Sequence, residues 1–174
     1  MDLVSTDIRT IAYIESDAEF NRARTRGFWE TMWGRILGRA PYLLSFAEAI
    51  QQVQPARSLD LGVRDVPIAD IVGSVNREQD FTRHFSPCGR NNDNKERWRR
   101  IYTRAVTGTG FPPVELYKIG PHYFIEDGHH RVSVAKHLSW ETVQAHVTEL
   151  IASADPCSLS NDQLTLGSGV ALWS

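Results

Sequence analysis

Glu126-Asp127-Gly128-His129-His130-Arg131 is the stretch whose residue types and spacing best suit chemistry. Glycine at 128 lets the backbone turn tightly and approach a ligand closely. A helix beginning at His129 would present first-turn amides that have no intrahelical partners. They would lie at the end where the helix dipole places partial positive charge. An anion, above all a phosphate, is the natural guest there. Arg131 offers a planar fork of donors that matches two phosphate oxygens, and His129 or His130 can donate beside it. Asp127 and Glu126 can hold a divalent cation such as Mg2+ that bridges phosphates, or take a proton from a nucleophile. Glu126, Asp127 and His129 are therefore the candidates for catalysis, Gly128, His129, His130 and Arg131 those for phosphate binding, and Asp127 that for a metal. Asp and Gly also suit turns and caps that bind nothing, so the residues alone leave a bare helix cap open.

The elements that must position this turn are written around it. A strand is expected over 114–119, after Pro112-Pro113, and Gly120-Pro121 turns it into a second strand over 122–125. HHRVSVAKHLS reads as a helix from His129, and 142–149 as a third strand with Val143, Ala145 and Val147 on one face. Upstream, VPIADI reads as a short strand entering a helical turn, and 73–94 is polar and turn-rich, mostly loop. A helix over 95–106 carries Trp98, Ile101, Tyr102 and Ala105 on one face and its basic residues mainly on the other. Nearer the start, Ser16-Asp17-Ala18-Glu19 has the S-x-x-E pattern of a helix start. Phe28, Trp29, Met32, Trp33, Ile36 and Leu37 then recur at helical spacing until Pro41. That stripe is expected in the core, with docking on another subunit as its alternative. A second helix is expected from Ser45 to just before Pro55.

The expected fold class is α+β, a small mixed sheet with helices preceded by N-terminal helices. The expected organisation is a helical extension over 1–63, a core over 64–151 and a tail over 152–174. The tail is small and polar, loosely ordered or laid across the domain through Leu166, Leu172 and Trp173.

With 174 residues, 41% hydrophobic and 23% charged, the chain suits one domain and is neither collagen-like nor wholly disordered. No apolar run approaches the roughly 20 residues of a membrane span. The first residues lack a signal-peptide pattern, so a cytoplasmic protein without membrane contact is expected. Two cysteines, Cys88 and Cys157, make neither a disulfide framework nor a four-cysteine zinc site. The formal net charge is −2, so nucleic-acid binding does not follow from the total. Two local basic clusters remain, Arg22, Arg24 and Arg26, then Lys95, Arg97, Arg99 and Arg100. His122, His129 and His130 with Asp127 match no common metal spacing, and no G-x-S-x-G turn accompanies Ser133.

The run FPPVELYKIGPHYFIEDGHHRVSVAKHLSWETVQAHVTEL resembles the N-terminal core of the ParB/sulfiredoxin superfamily. The earlier VPIADIVGSVNREQDF resembles the first conserved box of ParB-type proteins, and together they cover roughly residues 64–150. The chain also resembles bacterial proteins described as ParB-like nucleases. The resemblance implies a nucleotide site at the 127–131 turn, with Arg77 of Asn76-Arg77-Glu78 near the phosphates. Sulfiredoxin carries G-C-H-R, and here His129 stands at the Cys position while His130 and Arg131 match. Sulfiredoxin reduction is therefore not expected, because imidazole cannot form the sulfur linkage. ParB carries G-E-R-R, and His129 replaces its Glu. The free-serine kinases of the superfamily carry D-G-H-T-R, which Asp127, Gly128, His129 and Arg131 match, with His130 in place of Thr.

Three functions follow as expectations. The first is a nucleotide-binding protein that takes ATP, ADP or CTP with Mg2+ and hydrolyses or transfers phosphate. The second is a DNA-binding or nuclease protein that uses Arg97, Arg99, Arg100 and Arg104, with Arg22 to Arg26 as a second arm. No helix-turn-helix is legible after the core. The third is a non-catalytic interaction module with a relic nucleotide site, whose aromatic helix forms a homodimer.

Overall fold

Gly/Pro punctuation over 112–127, with the buried residues Val114, Leu116, Ile119, Phe124 and Ile125 between, produces the hairpin that carries the turn at 127–131. The computed structural model describes residues 3–88 and 92–152. In chain order its elements are α1 (Leu3–Ile36), β1 (Leu44–Ser45), α2 (Phe46–Val53), β2 (Pro55–Pro67), β3 (Ile71–Ser74), α3 (Asn92–Val106), β4 (Val114–Ile119), β5 (His122–Asp127), α4 (His129–His137) and β6 (Thr142–Ala152). The strands form one mixed sheet in the order β1-β3-β5-β4-β6-β2. β4–β5 and β2–β6 are antiparallel, and β1–β3, β3–β5 and β4–β6 are parallel. Among the described residues no helix is long and apolar enough to cross a membrane.

The two sheet faces are covered differently. On one face α2 packs Ala49 against Ile119 and Phe124, with Phe46 stacked on Tyr117. On the other face α4 buries Val132 and Ala135 against Val114, Leu116, Ile125 and Val147. Beyond α4 lies a second layer, in which Val134 meets Phe20 and Ala23 of α1 and Trp98 and Tyr102 of α3. Trp98 is fully buried, donates to Ser133 Oγ at 3.0 Å and stacks on Tyr102. α1 is thus the outermost element. It is tied to the 81–88 segment by Glu30, which accepts from the hydroxyls of Thr82 and Ser86. Gly27 permits that approach, since a Cβ there would lie 2.9 Å from the Pro87 carbonyl oxygen.

Several expectations need correction. α1 begins at Leu3, so Ser16 is no cap: it is buried in mid-helix, its hydroxyl donates to the Tyr13 carbonyl, and it accepts from Arg99 Nε at 3.1 Å. The apolar stripe is not core, since Phe28, Trp29, Trp33, Ile36 and Leu37 are each at least half exposed. Segment 1–63 is not only helical, because it supplies β1 and most of β2, and the 63/64 division falls inside β2. Among the described residues the 73–94 segment is mostly loop, as expected, with the end of β3, a 3-10 turn at Glu78–Asp80 and the start of α3 inside it. The tail calls on Leu166, Leu172 and Trp173 lie outside the described residues.

Candidate functional site

Gly128 joins β5 to α4 at φ 106°, in the left-handed region, and a Cβ there would lie 2.5 Å from Val114 Cγ1. Both the backbone angle and the space demand glycine. The Val132 N–H donates to the Gly128 carbonyl at 3.0 Å, so the amides of residues 129–131 precede the first intrahelical bond of α4.

Two histidines follow, and both are buried. His129 Nε2 lies 2.7 Å from Ser74 Oγ, and the same oxygen accepts the Arg77 N–H at 2.9 Å. The His129 ring stacks on Phe81 with centroids 5.9 Å apart. The His130 ring meets the Phe81 ring edge-on at 5.2 Å. Neither ring nitrogen of His130 has a hydrogen-bond partner among the described residues, although the side chain is only 6% exposed. Burial holds both pKa values down to about 4. For His129 the next cause is the positive charge of Arg77, which Asp127 opposes and Arg131 reinforces. For His130 it is Arg77, then His129, then Arg97. Both rings are therefore neutral at pH 7.

Arg77 pairs with Asp80 at 3.3 Å, an i,i+3 contact in which both side chains are more than a third exposed. Arg97 is exposed on α3 and makes no hydrogen bond or ion pair among the described residues. Arg131 is differently engaged. Its Nη1 donates to the carbonyls of Pro112, at 3.0 Å, and Pro113, and its Nη2 to Asp127. Its side chain is 15% exposed against 71% for Asp127. This guanidinium ties the entry to β4 to the exit from β5. It fixes the turn rather than standing open as a fork for a ligand.

Glu126 and Asp127 do not converge. Ile125 belongs to the α4-side core, so strand alternation turns Glu126 toward the α2 face. There the Tyr117 hydroxyl sits beside it, its pKa raised by burial and then by the Glu126 charge. Among the described residues no group of three His, Cys, Asp or Glu side chains is gathered to hold a metal. His122, His129, His130 and Asp127 thus form no such set, and the Asp127 carboxylate is paired with Arg131.

The basic face of α3 is mostly occupied. Arg99 binds Ser16 Oγ and the Tyr13 carbonyl, both at 3.1 Å, and lies 4.0 Å over the Tyr13 ring. Arg100 pairs with Glu96 at 3.2 Å, Arg104 donates to the Gly110 carbonyl at 3.2 Å, and Lys95 meets Asp17 at 2.6 Å. His137 and His146, which read as plain surface residues in the sequence, also have partners. His137 Nε2 meets Glu19 at 2.9 Å, and His146 bridges Asp60 and Glu115.

Sequence reasoning missed Ser74 and Phe81. They lie more than 45 residues before the turn, and nothing in periodicity links them to it. Parallel pairing of β3 with β5 brings Ser74 beside Ile125, which delivers its hydroxyl to His129. A hollow of about 490 Å3 lies away from this turn, between α1 and the 87–88 segment, lined by Arg24, Phe28, Thr31, Tyr42, Pro87 and Cys88 among others. Cys88 in that hollow has its thiol pKa raised, chiefly by burial. No protein-family model, curated protein or solved structure matches this chain.

Proposed function

We propose that this chain is a ParB/sulfiredoxin-like protein that binds the phosphates of a nucleotide at the first turn of α4. One observation carries the reading: His130 is buried with both ring nitrogens unpaired, and the positive charges of Arg77 and Arg97 act on it. A buried polar atom without a partner costs roughly 1–3 kcal/mol, and an anion would remove that cost. It would receive a hydrogen bond from the imidazole, lie against the partial positive charge of the helix start, and neutralise the two arginines. Supporting the family assignment is the succession of β5, Gly128, α4 and β6, with β3 parallel to β5. That succession follows the strand, turn, helix and strand order of the core that the sequence resembles.

The roles divide accordingly. The amides of residues 129–131, His130 and Arg77 contact phosphate. Ser74 and Phe81 hold His129 and the adjoining ring in place, and Arg131 with Asp127 fixes the turn. Mg2+ enters this reading only as the counter-ion a nucleotide brings with it. Phosphoryl transfer needs positioning and charge neutralisation more than covalent chemistry. Hydrolysis or transfer is therefore the activity to assay, with Asp127 the nearest carboxylate. The DNA reading has less support, because three of its four α3 arginines are held by neighbouring protein groups.

The test is calorimetric titration with ATP, ADP, CTP and GTP, with and without Mg2+, in two buffers of different ionisation heat. An anion beside His130 raises its depressed pKa, so binding near pH 6 takes up protons. The expected result is saturable binding of at least one nucleotide, with proton uptake, weakened tenfold or more by Arg77→Ala. No heat from any of the four overturns the proposal.

A further inference from the structure

The outer face of α1 carries Ile11, Ile14, Phe28, Trp29 and Ile36, each at least half exposed. The helix turns Ala12, Ser16, Phe20, Ala23 and Gly27 toward the body of the protein. On the opposite side, positions 11, 14, 18, 21, 25, 28 and 32 succeed one another by alternate steps of three and four. All seven are exposed: Ile11, Ile14, Ala18, Asn21, Thr25, Phe28 and Met32. This is the a/d repeat with which one long helix meets another. The two ends of the seam are apolar, flanked by Trp29 and Ile36 at 50% and 66% exposure. Its middle is small and polar.

We infer that this face pairs with the same face of a second copy of the chain, as a two-fold, parallel coiled coil of α1 with α1. Three observations select that occupant. The first is area. A large apolar side chain presents about 200 Å2, so Ile11, Ile14, Phe28, Trp29, Met32 and Ile36, 39–66% exposed, leave about 650 Å2 of the seam and its flanks open. That is most of the roughly 800 Å2 that each partner of a standard specific interface buries. The second is self-complementarity. In a parallel, in-register pair, Asn21 meets Asn21 of the other copy near the axis, and a polar residue at one core position fixes register and oligomer number. The third is charge. Asp17 and Arg22, which within one copy pair with Lys95 and Glu19, occupy the flanking positions that face each other across a parallel pair, five residues apart, and the symmetry makes the contact twice. Arg24 meets Trp29 in the same way, a cation over an aromatic ring. Among the described residues the body of each copy lies on the opposite side of its own helix, where Ala12, Ser16, Phe20 and Ala23 are buried.

The pairing is independent of nucleotide binding and is tested without a nucleotide. Light scattering coupled to size exclusion, at tens of micromolar, reads the mass of the intact chain. The expected result is a dimer that becomes a monomer in the Phe28→Asp/Met32→Asp variant. Both positions are exposed, so far-ultraviolet dichroism and the melting transition should stay cooperative. In a Cys88→Ser/Cys157→Ser background, Asn21→Cys is expected to cross-link to itself on mild oxidation, whereas Asp17→Cys is not. A monomeric wild type overturns the proposal, as does a dimer that survives the double aspartate variant. The first outcome would mean that this face is covered by residues of the same chain or by another protein. A dimer without the Asn21→Cys cross-link overturns the parallel register.

Discussion

The two ends of α4 each bury a histidine, and they treat it in opposite ways. At the C-terminal end His137 gives Nε2 to Glu19 of α1 and sets its ring edge-on to Trp98, leaving only Nδ1 buried without a partner. The residue is a tie between α1, α3 and α4. At the N-terminal end His130 is as well buried, yet its two nitrogens meet no acceptor, and its charged neighbours are cations. Burial is common to both, so burial does not distinguish a structural histidine from a functional one. The surrounding charge does. A carboxylate beside an imidazole completes a contact within the protein, whereas guanidinium groups beside an unpaired imidazole leave a place whose complement is negative.

The comparison can be broken most forcefully at Gly128. Gly128→Val forces a branched side chain into the left-handed region and against Val114, at a cost of roughly 3 kcal/mol or more. Urea unfolding should show that loss, and a change below about 1 kcal/mol would contradict the packing described. The next effect is acid sensitivity. His129 and His130 ionise near 4 when folded, against 6.5 for an ordinary histidine. Their contribution is complete above pH 6.5 and is lost as pH falls through about 4, on the order of 3 kcal/mol for each. Unfolding curves at pH 7 and pH 4.5 should separate accordingly, and His130→Leu should narrow the gap. An unchanged gap in that variant would place the acid sensitivity elsewhere. The smallest effects, at neutral pH, have opposite signs. Glu19→Ala should cost about 1–2 kcal/mol by stranding His137, while His130→Leu should stabilise the fold by about 1 kcal/mol by removing two unpaired nitrogens. Equal destabilisation by both would erase the distinction between the two ends.

Much of the fold around the turn was legible. β4, β5 and β6 are half-buried strands and α4 a largely buried helix, bounded by Pro112-Pro113, Gly120-Pro121 and Asp127-Gly128, so the punctuation places them. β2 was not, because only Val66 of its 13 residues is buried and an exposed strand has no alternation to read. The Ser16 pattern misled for a related reason. A hydroxyl followed three residues later by glutamate marks a helix start when it faces solvent, but here it serves the junction with Arg99. The aromatic stripe shows another limit: spacing reveals a face that seeks company without saying whose. In the site, Gly128 and His130 were legible as types in a pattern, whereas the engagement of Arg131 by two proline carbonyls was not. Backbone acceptors are common to every residue and leave no trace in the letters.

β2 closes one side of the sheet, and its pairing with β6 breaks between Asp60 and Val63, where Gly62 takes a positive φ and donates to Asp60. Arg57, Asp60, Arg64 and Asp65 line the same strand. Such a bulged, charged border is a poor template for a further strand, since the free amides twist away and an incoming chain would have to strip water from both signs of charge. Sheet growth from one molecule into the next, the common route to fibrils, is blocked on that side.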